Sequence, residues 1–203
     1  MALEHSALTG SALHEPRGAA VAVANRVYLS NGAGSGSWAK VPLATLEDTA
    51  KAFETQLIHV RDRKNSGVDG GTFTSGDWRT RTLNQIVTNE ITGASLSSNA
   101  VTLPSGTYHI KVSVPGFRCG EHRCRVKANT TVELDGENAS STASDGLGTS
   151  RTTAEGRVVL LTGKDITIEH RCKDTRNTDG LGKNSGFASI DEIYSQMWIW
   201  KIA

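Results

Sequence analysis

Four groups of residues in this 203-residue chain have types and spacings that could do chemistry. Gly34-Ser-Gly-Ser-Trp-Ala39 satisfies a dinucleotide fingerprint with alanine in the last place. In that motif, glycines admit a pyrophosphate and a helix N-terminus faces its charge. Here the predicted helix begins only at Pro42, too late to aim its amides at those glycines, and no further βαβ unit follows. The segment therefore reads as a flexible joint, and no cofactor is expected. Cys119-Gly-Glu-His-Arg-Cys124 with His122, and His170 with Cys172, are ligand types for zinc. Cys124 and Cys172, however, fall on or beside alternating runs whose same-face neighbours include Val126 and Ile168. That suits small buried hydrophobes, and no metal is expected. Ser35 and Ser37 lack the strained strand-to-helix turn of a nucleophile elbow. The acid pairs Asp69 with Asp77 and Asp191 with Glu192 have no anchoring context for glycoside hydrolysis. The chain is expected to be no enzyme, with a glycan depolymerase ranked last among its functions.

The basic residues Arg61, Arg63, Lys64, Arg79, Arg81, Arg118, Arg123 and Arg125 recur, often at period 2. Adjacent strands could gather them into one face, either simply solvated or able to hold an anionic polysaccharide or another protein. Trp78 beside Arg79 and Arg81 is the candidate for surface or glycan binding, since an indole can stack on a sugar; a core tryptophan is the ordinary alternative.

The elements that must position these residues follow from composition and period. Lysine and arginine total 22 against 21 acids, a net charge of +1, so no global field favours nucleic acid or an anionic membrane. No run of about 18 apolar residues occurs, and the first residues have neither a basic nor an apolar signal region; a soluble chain retained on the cytoplasmic side of its producer is expected. Three cysteines, an odd number, should then stay reduced without a disulfide. Aromatics make up 5% and glycines number 21, which with abundant Ser, Thr and Asn leans towards strands joined by many turns.

Residues 1–40 have little apolar periodicity beyond Arg26-Val-Tyr-Leu29 and should be an extended arm ordered only against a partner. Over 41–57, Pro42 opens a helix in which Leu43, Leu46, Ala50, Phe53 and Leu57 follow at spacings of 3, 4, 3 and 4. This is a short a/d seam for trimerisation, or the apolar face of a helix packed on its own domain. Residues 58–203 read as about eight strands: 58–60, a looser 78–83, 107–114 ended by Pro115-Gly116, 123–128, 131–134 closed by Asp135-Gly136, 156–161, 165–170 and 193–200. Glu137 to Thr153 reads as a polar loop. The last strand carries Ile193, Met197 and Ile199 on one face and Tyr194, Trp198 and Trp200 on the other. It must be central, or one face meets another subunit. The fold class is mainly β, an antiparallel jelly-roll sandwich preceded by a short coiled-coil helix and an extended N-terminal arm.

The stretch Asp62 to Asn84, above all Gly70-Gly-Thr-Phe-Thr-Ser-Gly-Asp-Trp78, then Leu103-Pro-Ser-Gly-Thr-Tyr108 and Ile168-Glu-His-Arg-Cys172, resembles a head module at the C-terminal end of phage fibre proteins. That module is similar to the trimeric jelly roll of complement globular heads and tumour-necrosis-factor ligands. The resemblance implies a homotrimer. The segments His14-Glu-Pro-Arg-Gly-Ala-Ala20 and Val27 to Trp38 are similar to docking arms of head-fibre and tail-fibre proteins. His14, Glu15, Pro16, Tyr28 and Trp38 are the implied anchoring residues. The resemblance thus implies a virion protein assembled in the host cytoplasm, mounted on the capsid in preference to the tail. Its head would adhere to a host surface or glycan, or serve capsid decoration without a receptor.

Overall fold

The computed structural model describes residues 26–30, 36–40, 56–142 and 148–202. The chain divides into two units, Met1–Glu54 and Thr55–Ala203. In the first, β1 (Val27–Ser30) pairs antiparallel with β2 (Gly36–Ala39), placing Tyr28 opposite Trp38 with their rings edge to face at 5.5 Å. The described part of the expected extended arm is thus a hairpin, because two short β-prone runs satisfy each other's backbone groups and share one aromatic pair. The glycine motif at 34–39 ends in strand β2, which is not the loop-to-helix geometry a dinucleotide requires. His14, Glu15 and Pro16, and Leu43, Leu46, Ala50 and Phe53 of the seam, lie outside the described residues.

The second unit is built from two antiparallel sheets. The front sheet has the order β11-β8-β13-β3-β5, formed by Thr149–Leu160, Gly106–Phe117, Glu192–Lys201, Gln56–Lys64 and Gln85–Asn89. The back sheet runs β10-β9-β12-β7-β6, formed by Thr131–Ser141, Gly120–Ala128, Lys164–Cys172, Ala100–Leu103 and Ser95–Ser97; the short β4 (Arg79–Thr80) also pairs with β12. From β7 onward the chain passes back, front, back, back, front, back, front. That alternation makes the sandwich a jelly roll.

Period-2 alternation sets what lies between the sheets. Ile58 and Val60 of β3, Tyr108, Ile110, Val112 and Val114 of β8, and Met197 and Ile199 of β13 face Val101, Leu103, Val126, Ile166 and Ile168 from behind, all of them fully buried. β13 occupies the centre of the front sheet, which accounts for its two apolar faces: Met197 and Ile199 point inward, while Trp198 and Trp200 remain half-buried on the outside. Leu57, placed by its spacing in the helical seam, is instead a residue of β3 opposite Trp200. Its neighbour Ile58 starts a strict inside-outside alternation, and period 2 prevails over period 3.5 once the strand pairs.

Three boundaries differ from the sequence expectation. β8 runs through Pro115-Gly116 to Phe117; its pairing with β13 reaches only Ser113, so Pro115 lies where β11 is the one ladder partner. β10 runs through Asp135-Gly136 to Ser141 by means of two irregularities, between Val132 and Leu134 and between Asp135 and Asn138. β10 reaches Ser141 and β11 begins at Thr149, so most of the expected polar loop is strand, with Ser141 and Thr152 turned inward and buried.

The block 70–78 is held by a second long loop, residues 173–191. Gly70 N–H donates to Gly182 O, Gly71 N–H to Thr178 O, and Phe73 and Arg176 exchange both of their backbone bonds. A side chain at Gly70 would lie 2.7 Å from the Leu181 backbone; one at Gly182, whose φ is +144°, would lie 2.2 Å from the Tyr194 ring. Gly182→Ala should therefore lower the unfolding free energy by about 2 kcal/mol, read from denaturant melts. A loss within a few tenths would contradict this packing.

Candidate ligand cleft and buried polar network

Along β9 and β12 the inward positions change from apolar to polar. Val126, Cys124 and His122 succeed one another on β9, paired in register with Ile168, His170 and Cys172 of β12. Where the polar end begins, Arg81 enters the core. It is 1% exposed, and its guanidinium donates to Ser195 Oγ at 2.8 Å, Pro115 O at 3.3 Å, Leu181 O at 2.7 Å and His170 Nδ1 at 3.3 Å. Its burial takes Arg81 off the surface that the sequence suggests it shares with Trp78 and Arg79. It follows exposed Thr80 and precedes buried Leu83, so the chain leaves β4 by turning across the sandwich, and only the set of four acceptors makes the buried charge tolerable. Burial draws the guanidinium down to about 10, opposed by the charge of Asp62, so it stays ionised at neutral pH.

Arginine only donates, and this orders the hydrogen bonds beyond it. His170 Nδ1 must accept from Arg81, so His170 Nε2 carries its proton and donates to His122 Nδ1 at 2.9 Å. His122 Nε2–H then donates to Ser150 Oγ at 2.6 Å. Both imidazoles are neutral: burial and the Arg81 charge hold His122 down to about 4, and His170 goes well below its usual range for the same reasons. His122 in this order has no lone pair with which to take a proton from Ser150, so the Ser–His pair lacks the polarity of an activated nucleophile.

The three cysteines are free and buried. Cys124 packs in the main core, while Cys119 and Cys172 join Phe73 in a smaller cluster whose Phe73 ring lies 4.4 Å from His170. Burial raises all three thiols, Cys172 to about 12. Among the described residues no three His, Cys, Asp or Glu side chains converge as metal ligands.

On the outer face of the back sheet, over this polar end, a cleft of about 810 Å³ opens. Register assembles its walls in rows: Asn138, Arg123 and Arg171 from β10, β9 and β12, and beside them Ser140 and Glu121, with Lys173 just past β12. His122 and Cys172 close the floor, and Gly76 and Trp78 form one edge. The Arg125 guanidinium stands 4.1 Å over the Trp78 ring and pairs with Glu169, which also holds Lys127 at 3.2 Å. Lys173 pairs with Glu121 at 3.1 Å. Arg79 is exposed on β4 and does not line the cleft. Of the three residues named as a binding group, the fold brings only Trp78 to this cleft. It adds Arg171, Lys173, Asn138 and Ser140, whose convergence depends on strand register. The other basic residues separate, with Arg61 and Arg63 on the front sheet and Arg123 and Arg125 on the back.

The fold and cleft define a two-sheet antiparallel jelly roll with a polar recess on its back sheet. Among solved structures, murine APRIL at pH 5.0 aligns with TM-score 0.48 and 12% identity over 73% of this chain and 99% of that one. The globular domain of zebrafish complement 1qA protein aligns with TM-score 0.48 and 14% identity over 74% and 98%. No family profile and no curated protein matches the sequence.

Two outcomes test the network. Arg81→Leu leaves four acceptors unmet and should cost about 3–5 kcal/mol in chemical denaturation, with Arg81→Lys recovering part of it. For pH, the unfolded imidazoles titrate near 6.5 and the folded ones lower. Below 6.5 the unfolded chain therefore takes up protons that the folded chain refuses, and stability falls towards pH 4 by up to about 1.4 kcal/mol per pH unit for each histidine. His122→Gln, which can both accept and donate, should flatten that slope between pH 6.5 and 5; an unchanged slope would contradict the assignment.

Proposed function

We propose that the chain is a non-enzymatic structural component of a bacteriophage virion: a trimeric fibre, capsid-mounted in preference to tail-mounted, whose N-terminal segment docks on the particle. Its jelly-roll head adheres to the host surface. The observation that carries the assembly is the outer face of the front sheet. There Trp198 stacks on His59 at 4.9 Å, Trp200 lies 5.7 Å from His109, and Leu57 is opposite Trp200. A half-buried aromatic band in the middle of a sheet is an incompletely covered apolar surface, and a second and third copy would complete its burial. The phage assignment is supported by the resemblance of 62–84, 103–108 and 168–172, and docking by that of residues 14–38.

Sedimentation of the full chain at micromolar concentration should give a trimer, and Trp198→Gln with Trp200→Gln should give folded monomers whose melting temperature is lower than the trimer's and no longer depends on protein concentration. A wild-type monomer would overturn the assembly. Binding of the full chain to host cells separates adhesion from capsid decoration, which predicts none.

A further inference from the structure

We propose that the cleft on the back sheet binds an acidic sugar, a saccharide unit bearing a carboxylate within a surface polysaccharide. The inference deepens the adhesion reading and rests on it. Its starting point is an arrangement that folding alone disfavours: Arg123 and Arg171 stand directly opposite each other on adjacent strands and point to the same side. Like charges so placed destabilise a sheet. Arg123 has a partial counter-charge in exposed Asp135 at 3.4 Å and donates through Nε to Gly136 O. Among the described residues no side chain pairs with the Arg171 guanidinium. A carboxylate lying across the two arginines would accept paired hydrogen bonds from planar donors and remove the repulsion.

The remaining walls suit a sugar more than a bare anion. Trp78 lines the edge with its ring held by Arg125, and that ring can meet the C–H face of a pyranose. Asn138 and Ser140 present an amide and a hydroxyl, which can each donate to and accept from sugar hydroxyls. The other cations of this end have acidic partners on the sheet itself, Lys173 in Glu121 and Arg125 with Lys127 in Glu169. A nucleic-acid strand would need a basic groove tracking many phosphates, whereas this cationic row is two arginines wide and is bounded by Asp135, Glu169 and Glu121. The cleft opens on the sheet opposite the aromatic face used for self-association. A trimer would therefore carry three outward clefts, and avidity would multiply a weak single-site affinity.

The test is calorimetric titration of the full chain with hyaluronate, polygalacturonate and polysialate, each beside its carboxyl-reduced form, and with inorganic polyphosphate. The expected result is binding of at least one acidic polymer, lost by about tenfold or more on carboxyl reduction. Arg171→Gln and Trp78→Leu should each weaken it by about tenfold. Arg171→Gln should melt no lower than wild type, because it relieves the cross-strand repulsion. Binding to none of the acidic polymers, equal binding of a reduced form, or binding of polyphosphate that is as tight and indifferent to Trp78→Leu would overturn the proposal. Sedimentation of the same samples keeps the two readings apart. A monomer that binds through Arg171 overturns only the assembly, and a trimer whose binding ignores Arg171 and Trp78 overturns only the cleft.

Discussion

The head depends on one buried cation. Arg81 carries a full charge into the space between two sheets with no carboxylate in contact, and its donors tie four parts of the chain together: Pro115 of β8, His170 of β12, Ser195 of β13 and Leu181 of the long loop before β13. Each acceptor comes from an element that could otherwise shift relative to the rest. The desolvation cost is offset only when all of them are in place, so the interaction selects one packing of the polar end more than it adds net stability. The apolar end, from Ile58 to Ile199, needs no such device because well-packed aliphatic side chains suffice.

The same cation sets the chemistry of its surroundings. Because arginine donates only, the tautomers of His170 and His122 follow in series, and the last proton points at Ser150. A histidine pair beside a serine and three thiols would suggest catalysis by residue type alone. The order of donors and acceptors, together with burial of the thiols, makes it a neutral structural chain. His122 and Cys172 lie in the floor of the cleft, and Arg123 and Arg171 point the other way from the same strands, with Trp78, just before β4, at the edge.

The two outer faces differ in kind. The front face has an aromatic and histidine band suited to burial by like surfaces; the back face has a row of arginines with an indole at its edge, suited to a small anionic ligand. One sandwich can separate assembly from recognition because each strand alternates its side chains between the core and a single outer face.

Much of the fold was legible from period alone. Alternation marked β3, β8, β9, β12 and β13 because each has one face buried in an apolar core, and a period of 2 survives wherever that is so. The two-faced β13 announced its central place by the same logic. What the sequence did not determine was anything decided by partners remote in the chain. The short strands β5, β6 and β7 lack enough alternating positions to stand out. β8 and β10 continue through Pro115 and Asp135-Gly136 because neighbouring strands supply ladders that override local turn preference. Leu57 joined a strand and not a helical seam for the same reason. Arg81, with the types and neighbours of a surface residue, went inside because acceptors 34, 89, 100 and 114 positions away in the chain met it there. The opposition of Arg123 and Arg171, 48 residues apart, exists only through register, and register is a property of the paired sheet and of no single segment.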